Sequence, residues 1–121
     1  MKIQESGEMY LENILVLQKE MNDIRAIDIV NKTGYSKPSI SRALKLLKEN
    51  GYINIDKSGY ISLTESGSSR AKKIYGRHRA LSEIFMKIGI SEENAVADAC
   101  KIEHDISDET FEKLKQYFAD K

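Results

Sequence analysis

Apolar positions recur with helical spacing along most of the chain, and the spacing shortens to a strand-like run only in the middle. From Glu8 to Leu17, the residues Met9, Leu11, Ile14, Leu15 and Leu17, with Tyr10 beside them, repeat at three- and four-residue steps. That pattern predicts an amphipathic helix whose polar face includes Glu8 and Glu12. A second, short helix is expected from about Arg25 to Lys32, with Ile27, Ile29 and Val30 apolar and Thr33-Gly34 ending it. Ser36-Lys37-Pro38-Ser39 opens a third, because Ser36 is a natural N-cap and Pro38 falls in the first turn, where no intrahelical donor is lost. Its buried stripe is Ile40, Ala43, Leu44, Leu46 and Leu47, and Asn50-Gly51 closes it. Tyr52–Asp56 and Tyr60–Leu63 are β-rich runs around Lys57-Ser58-Gly59, which reads as a hairpin. Thr64-Glu65-Ser66-Gly67 supplies capping chemistry ahead of a long helix from Arg70 to about Ile88, broken by Gly89. Ser91 starts a fifth helix that runs through His104, and Ser107-Asp108-Glu109 starts a last one ending near Phe118.

The fold class is therefore mainly α with a small β-hairpin. Two short helices joined by a turn containing Gly34, the second followed by a hairpin, have the arrangement of a winged helix-turn-helix. Residues 1–73 are expected to form that DNA-binding domain and residues 74–121 a helical domain.

Composition narrows the class. No apolar run approaches the roughly 20 residues needed to cross a bilayer, and the N-terminus lacks the apolar segment of a signal peptide. A soluble, cytoplasmic protein without a membrane partner is expected. The single Cys cannot form an internal disulfide. Across 121 residues, 19 basic side chains balance 19 acidic ones, and zero net charge argues at first sight against a nucleic-acid partner. The balance is a cancellation: residues 24–88 hold 13 basic against 5 acidic side chains, a surplus of +8, whereas residues 1–23 and 89–121 carry −3 and −5. A basic centre suits an anionic partner. On the third helix Ser36, Lys37, Pro38, Ser39, Ser41 and Arg42 form the small polar and basic N-terminal turn that a recognition helix presents to base edges and phosphates. Lys45 and Lys48 follow at backbone-contacting positions, and Lys57 stands at the tip of the wing.

The acidic C-terminal part holds a second constellation. Cys100, Glu103 and His104 fall at i, i+3 and i+4, which on a helix gathers a thiolate, a carboxylate and an imidazole on one face. Each has an ordinary alternative, Cys100 as a small buried hydrophobe and His104 as a surface residue. The remaining inventory favours metal: His78 is the only other His, and Met9 and Glu12 share a face of the first helix. No Gly-rich nucleophile turn accompanies Cys100, so a cysteine hydrolase is disfavoured and no catalytic residue is expected.

With these motifs in hand, the chain resembles the diphtheria toxin repressor family of metal-dependent transcriptional repressors, which includes the manganese transport regulators. The resemblance runs from Glu8 to about Phe118. It is carried by Glu8-Met9-Tyr10-Leu11, Ser36 to Arg42, Leu63 to Gly67, Arg77-His78-Arg79, Gly89-Ile90 and, most specifically, Ala99 to Ser107. It implies a primary metal site at the positions of Met9, Cys100, Glu103 and His104, as in iron-type members, with Glu12 and His78 able to complete a second site as in manganese-type members. Met9 and Cys100 are soft ligands, so Fe(II) is favoured, Mn(II) second, and Co(II), Ni(II) or Zn(II) are possible substitutes. Two positions of the iron-type ancillary site correspond here to Val96 and Ser82, and Glu83 is one place off, about 100° around a helix. Longer members carry an SH3-like third domain, for which 121 residues leave no room. The resemblance also implies a homodimer, with Ile84, Phe85, Ile88, Ile106, Phe111, Leu114, Tyr117 and Phe118 as interface candidates, a palindromic operator, and control of metal-homeostasis genes. The competing readings are a metal-independent winged-helix regulator sensing a small molecule, and a metal-buffering protein that ignores DNA.

Overall fold

The computed structural model describes residues 5–119, and the chain divides into two compact units, Met1–Lys72 and Lys73–Lys121. The elements follow in the order α1 (Glu5–Glu20), α2 (Ala26–Thr33), α3 (Lys37–Glu49), β1 (Ile53–Ile55), β2 (Ile61–Leu63), α4 (Glu65–Lys87), α5 (Glu92–Ile102) and α6 (Asp108–Ala119). Mainly α with one small hairpin is the class the periodicity predicts.

The first unit is a winged helix-turn-helix. Its centre is the set of fully buried side chains Leu11 and Ile14 from α1, Ile29 from α2, Ile40 from α3, Ile53 from β1, and Ile24 from the α1–α2 connection. Apolar burial of this kind contributes roughly 1.5–3 kcal/mol per large side chain. Local chemistry fixes the helix ends. The Asp28 carboxylate accepts from Arg25 N–H at 2.8 Å at the start of α2. At its end Gly34, with φ 78°, takes the left-handed conformation that returns its N–H to Val30 O. Ser36 caps α3 through Ser39 N–H, with Pro38 in the first turn, as its sequence requires.

The wing pairs Ile53 with Leu63, Asn54 with Ser62 and Ile55 with Ile61. Its turn is organised by Asp56, whose carboxylate accepts from the N–H groups of Ser58 and Tyr60, both at 2.9 Å. A lone antiparallel bridge joins Ile24 to Ile61, so the α1–α2 connection adds a third short rung to the sheet, which periodicity does not reveal.

Two expectations for this unit are corrected. The long helix starts at Glu65 rather than Arg70: Thr64 is the capping residue, its Oγ1 accepting from Gly67 N–H at 3.0 Å and donating to Gly51 O at 2.6 Å. Gly67 then lies inside the first turn because α4 passes against the backbone of Tyr52, where an added Cβ would sit 1.9 Å from Tyr52 O. Glu8, expected on the polar face of α1, is buried and receives Arg70 Nε at 2.8 Å. Its neighbour Tyr10 is also buried, and burial, with Tyr35 adding to it, raises the phenol's pKa above the usual 10.0.

The second unit comprises the remainder of α4 with α5 and α6. Its core is Leu81, Ala99 and Phe111, with Ala80, Phe85, Ile102, Ile106 and Leu114 packed around them. Of the interface candidates, Ile84 and Phe111 are buried within the chain, whereas Ile88 and Tyr117 are 59% and 63% exposed. The fifth helix stops at Ile102, not His104. The turn beyond it is gripped from α4: Arg77 Nη1 donates to Glu103 O at 3.2 Å and to Ile106 O at 2.9 Å. Among the described residues, no helix is long and apolar enough to cross a membrane.

Candidate metal centre and nucleic-acid interface

The N-terminal turn of α3 faces solvent. Ser36, Lys37, Pro38, Ser41, Arg42 and Lys45 are exposed, and Lys57 is exposed at the wing turn. Ser39 is half-buried and already engaged: its hydroxyl takes a hydrogen bond from Ser36 Oγ at 2.9 Å and lies 3.5 Å from Arg42 Nη2. Ser36 and Ser39 therefore shape the turn, and Lys37, Ser41, Arg42 and Lys45 line it with solvent-exposed donors. Sequence reasoning passed over two neighbours. Arg25 lies over the Tyr60 ring at 4.5 Å and ties the start of α2 to the wing. Tyr35, 44% exposed in the helix-turn-helix turn, packs edge-on to Tyr10 and donates its hydroxyl to Met9 Sδ at 3.5 Å.

The predicted metal ligands distribute over both units. Met9 and Glu12 stand half-buried on α1. In the second unit His78, Glu103 and His104 are brought together. Glu103 is fully buried, with its Oε2 3.0 Å from His78 Nδ1 and its Oε1 3.3 Å from His104 Nε2. The latter approach lacks hydrogen-bond alignment, so Oε1 is a buried carboxylate oxygen that accepts no hydrogen bond from the described residues. Cys100 is exposed on α5. Cys100 lies within α5, whereas Glu103 is its C-cap, with φ −58° and ψ −26°, and His104 follows in the turn.

A carboxylate taken out of water without a full set of donors costs several kcal/mol unless a cation balances it. Glu103 has no buried Lys or Arg on its carboxylate among the described contacts, and its flanking groups are imidazoles, which bind transition metals when neutral. Oxygen and imidazole donors around a half-satisfied buried carboxylate fit a divalent transition-metal ion.

Comparison with known proteins agrees with the geometry. Residues 2–61 match the iron dependent repressor N-terminal DNA binding domain, and residues 64–120 match the iron dependent repressor metal binding and dimerisation domain. An uncharacterized HTH-type transcriptional regulator of Methanocaldococcus jannaschii is 34% identical over 92% of this chain and 90% of its own length. The transcriptional regulator MntR of Escherichia coli is 30% identical over 89% of this chain and 70% of its own. The solved structure of the manganese regulator SloR superposes with a TM-score of 0.83 at 26% identity, covering 98% of this chain and 55% of that one. The chain thus spans about half the length of that solved relative. With a DNA-binding domain model and a metal-binding and dimerisation domain model matched in succession over nearly its whole length, the chain belongs to the iron dependent repressor family.

Proposed function

We propose that this chain is a metal-dependent transcriptional repressor of the cytoplasm, acting as a homodimer on a palindromic operator of metal-homeostasis genes. The observation that carries the reading is the buried Glu103 carboxylate, flanked by His78 and His104 and short of donors, in a chain whose α3 presents a solvent-facing row of Lys37, Arg42 and Lys45. His78, Glu103 and His104 hold the ion, with Met9, Glu12 and Cys100 as the further ligands the family pattern assigns. Fe(II) is the preferred ion on account of the Met9 and Cys100 sulfurs, and Mn(II) is second. The solved relative named as a manganese regulator, SloR, supports Mn(II) as the direct rival.

When bound, the ion supplies positive charge that neutralises Glu12 and Glu103. The chain's own residues do the rest. The second unit's ligands come from α4, α5 and the turn that follows it, so binding orders that unit, while in the first unit α1 packs on α3. A two-fold dimer places two recognition helices about one or more helical turns of DNA apart, so ordering the protomer sets their spacing. By linkage, metal strengthens operator binding by the same factor as operator strengthens metal binding.

An electrophoretic shift on operator DNA, with Fe(II) or Mn(II) against chelator, tests this. A shift that requires metal is expected, and one equally strong under chelation would defeat the mechanism. Calorimetry with the two ions on native protein and on a Cys100→Ala/His104→Ala variant ranks them. An unchanged heat in the variant would favour a metal-independent regulator.

A further inference from the structure

Arg77 is a buried cation that neither the metal reading nor the DNA reading uses. It is 7% exposed on α4, immediately before His78. Its guanidinium donates from Nη1 to Glu103 O and Ile106 O and from Nη2 to the Asp108 carboxylate, which Lys73 also approaches at 3.6 Å. Its planar head lies 5.1 Å from the centre of the Phe111 ring. One side chain therefore collects two carbonyls at the exit of α5 and the first residue of α6. Burial of a guanidinium is costly, and this set of partners is what offsets it.

One of those partners is the main chain of Glu103 itself. Glu103 is held twice from adjacent positions of α4, by its carbonyl at Arg77 and by its carboxylate at His78, 3.0 Å from Nδ1. Neighbouring residues on a helix point about 100° apart, so the two attachments grip Glu103 from different directions and fix both where it lies and how it turns. The carbonyls of Glu103 and Ile106 lie past the last turn of α5, where the helix leaves its final carbonyls without intrahelical donors, and Arg77 supplies the donors there.

We infer that Arg77 is a positioning residue for the metal centre: it clamps the turn from Glu103 to Ile106 so that the Glu103 carboxylate meets His78. The inference rests on the reading that His78 and Glu103 are metal ligands. It assigns to Arg77 no contact with the ion.

The experiment is titration of the full chain with Co(II) alone, read by its visible absorption bands and by chelator competition, alongside thermal unfolding of the metal-free protein. Arg77→Lys keeps the charge and loses the fork. It is expected to weaken Co(II) binding about 10- to 100-fold, the usual effect of altering a group that orients a ligand, and to change the band pattern at saturation. Asp108→Asn loosens the clamp from its exposed end and is expected to act in the same direction, a few-fold; it carries the test if Arg77→Lys does not fold. Lower thermal stability with Co(II) affinity and bands unchanged would mean that Arg77 is only a structural brace, and would overturn the inference. Native protein that takes up no Co(II) would overturn it together with the metal reading, whereas native binding with unaltered variants would overturn it alone.

Discussion

The two units spend their charge in opposite ways. In the first, the basic side chains that matter are exposed on α3 and the wing, and the fully buried side chains are the aliphatic set from Leu11 to Ile53. In the second, Ile74, Leu81, Ile84, Ala95, Ala99 and Phe111 are buried, and so are a carboxylate and a guanidinium, Glu103 and Arg77. A surface that meets DNA needs charges in water, ready to exchange counterions for phosphates. A site that senses a cation needs a charge held out of water, so that the ion's arrival changes the energy of the fold. The difference teaches where each unit keeps its charge: the first presents cations on its surface and buries Glu8 only against Arg70, whereas the second holds in its interior a carboxylate with one oxygen short of donors.

The sharpest way to break this contrast is Glu103→Gln. Removing a direct ligand is expected to weaken Mn(II) or Fe(II) binding by more than the roughly 10- to 100-fold cost of outer-shell changes, and to abolish metal-stimulated DNA binding. The metal-free fold should be no less stable, because an under-solvated buried charge has been removed. Metal titration and chemical denaturation of the same variant check both halves, and a loss of apo stability above about 2 kcal/mol would show that Glu103 is a structural ion-pair partner instead. Next in size, Gly67→Ala should damage only the first unit. Its methyl group would collide with Tyr52 O, and forced overpacking of this kind costs about 1–3 kcal/mol. Denaturation should show the loss, while Co(II) affinity should stay within a few-fold of native. The smallest effect is expected at Arg42→Ala, whose side chain is exposed at the end of the Ser36–Ser39 cap. If it meets a phosphate, operator affinity should fall about evenly across sequences and the salt slope by about one; if it reads a base, about 1–3 kcal/mol of specificity is lost at one position. Folding stability should be unchanged in either case.

How far the sequence carries varies in the same way between the units. The cap at Ser36, Pro38 in the first turn and the wing around Asp56 to Gly59 are local devices, set by residues three or four apart, and each is legible in the chain. What escapes is long-range. Gly67 reads as a loop glycine until Tyr52 is found against it, and Glu8 reads as solvent-facing until Arg70 arrives from 62 residues away. The grip on the turn after α5 is invisible for the same reason, since Arg77 lies 26 residues upstream of Glu103. Of the candidate site, residue types and spacing singled out Glu103, His78 and His104, which come together, and also Cys100, which stands exposed.

Thr64 joins the end of α3 to the start of α4: its hydroxyl and N–H are tied to Gly51 O and Tyr52 O, just past the last turn of the recognition helix. From there α4 runs without a break to His78, 13 residues beyond Glu65, or about 20 Å at 1.5 Å per residue. In mechanical terms Thr64 is a pin that holds the first turn of α4 to the backbone following α3. Fixed there, that turn cannot swing away from the wing without giving up both bonds.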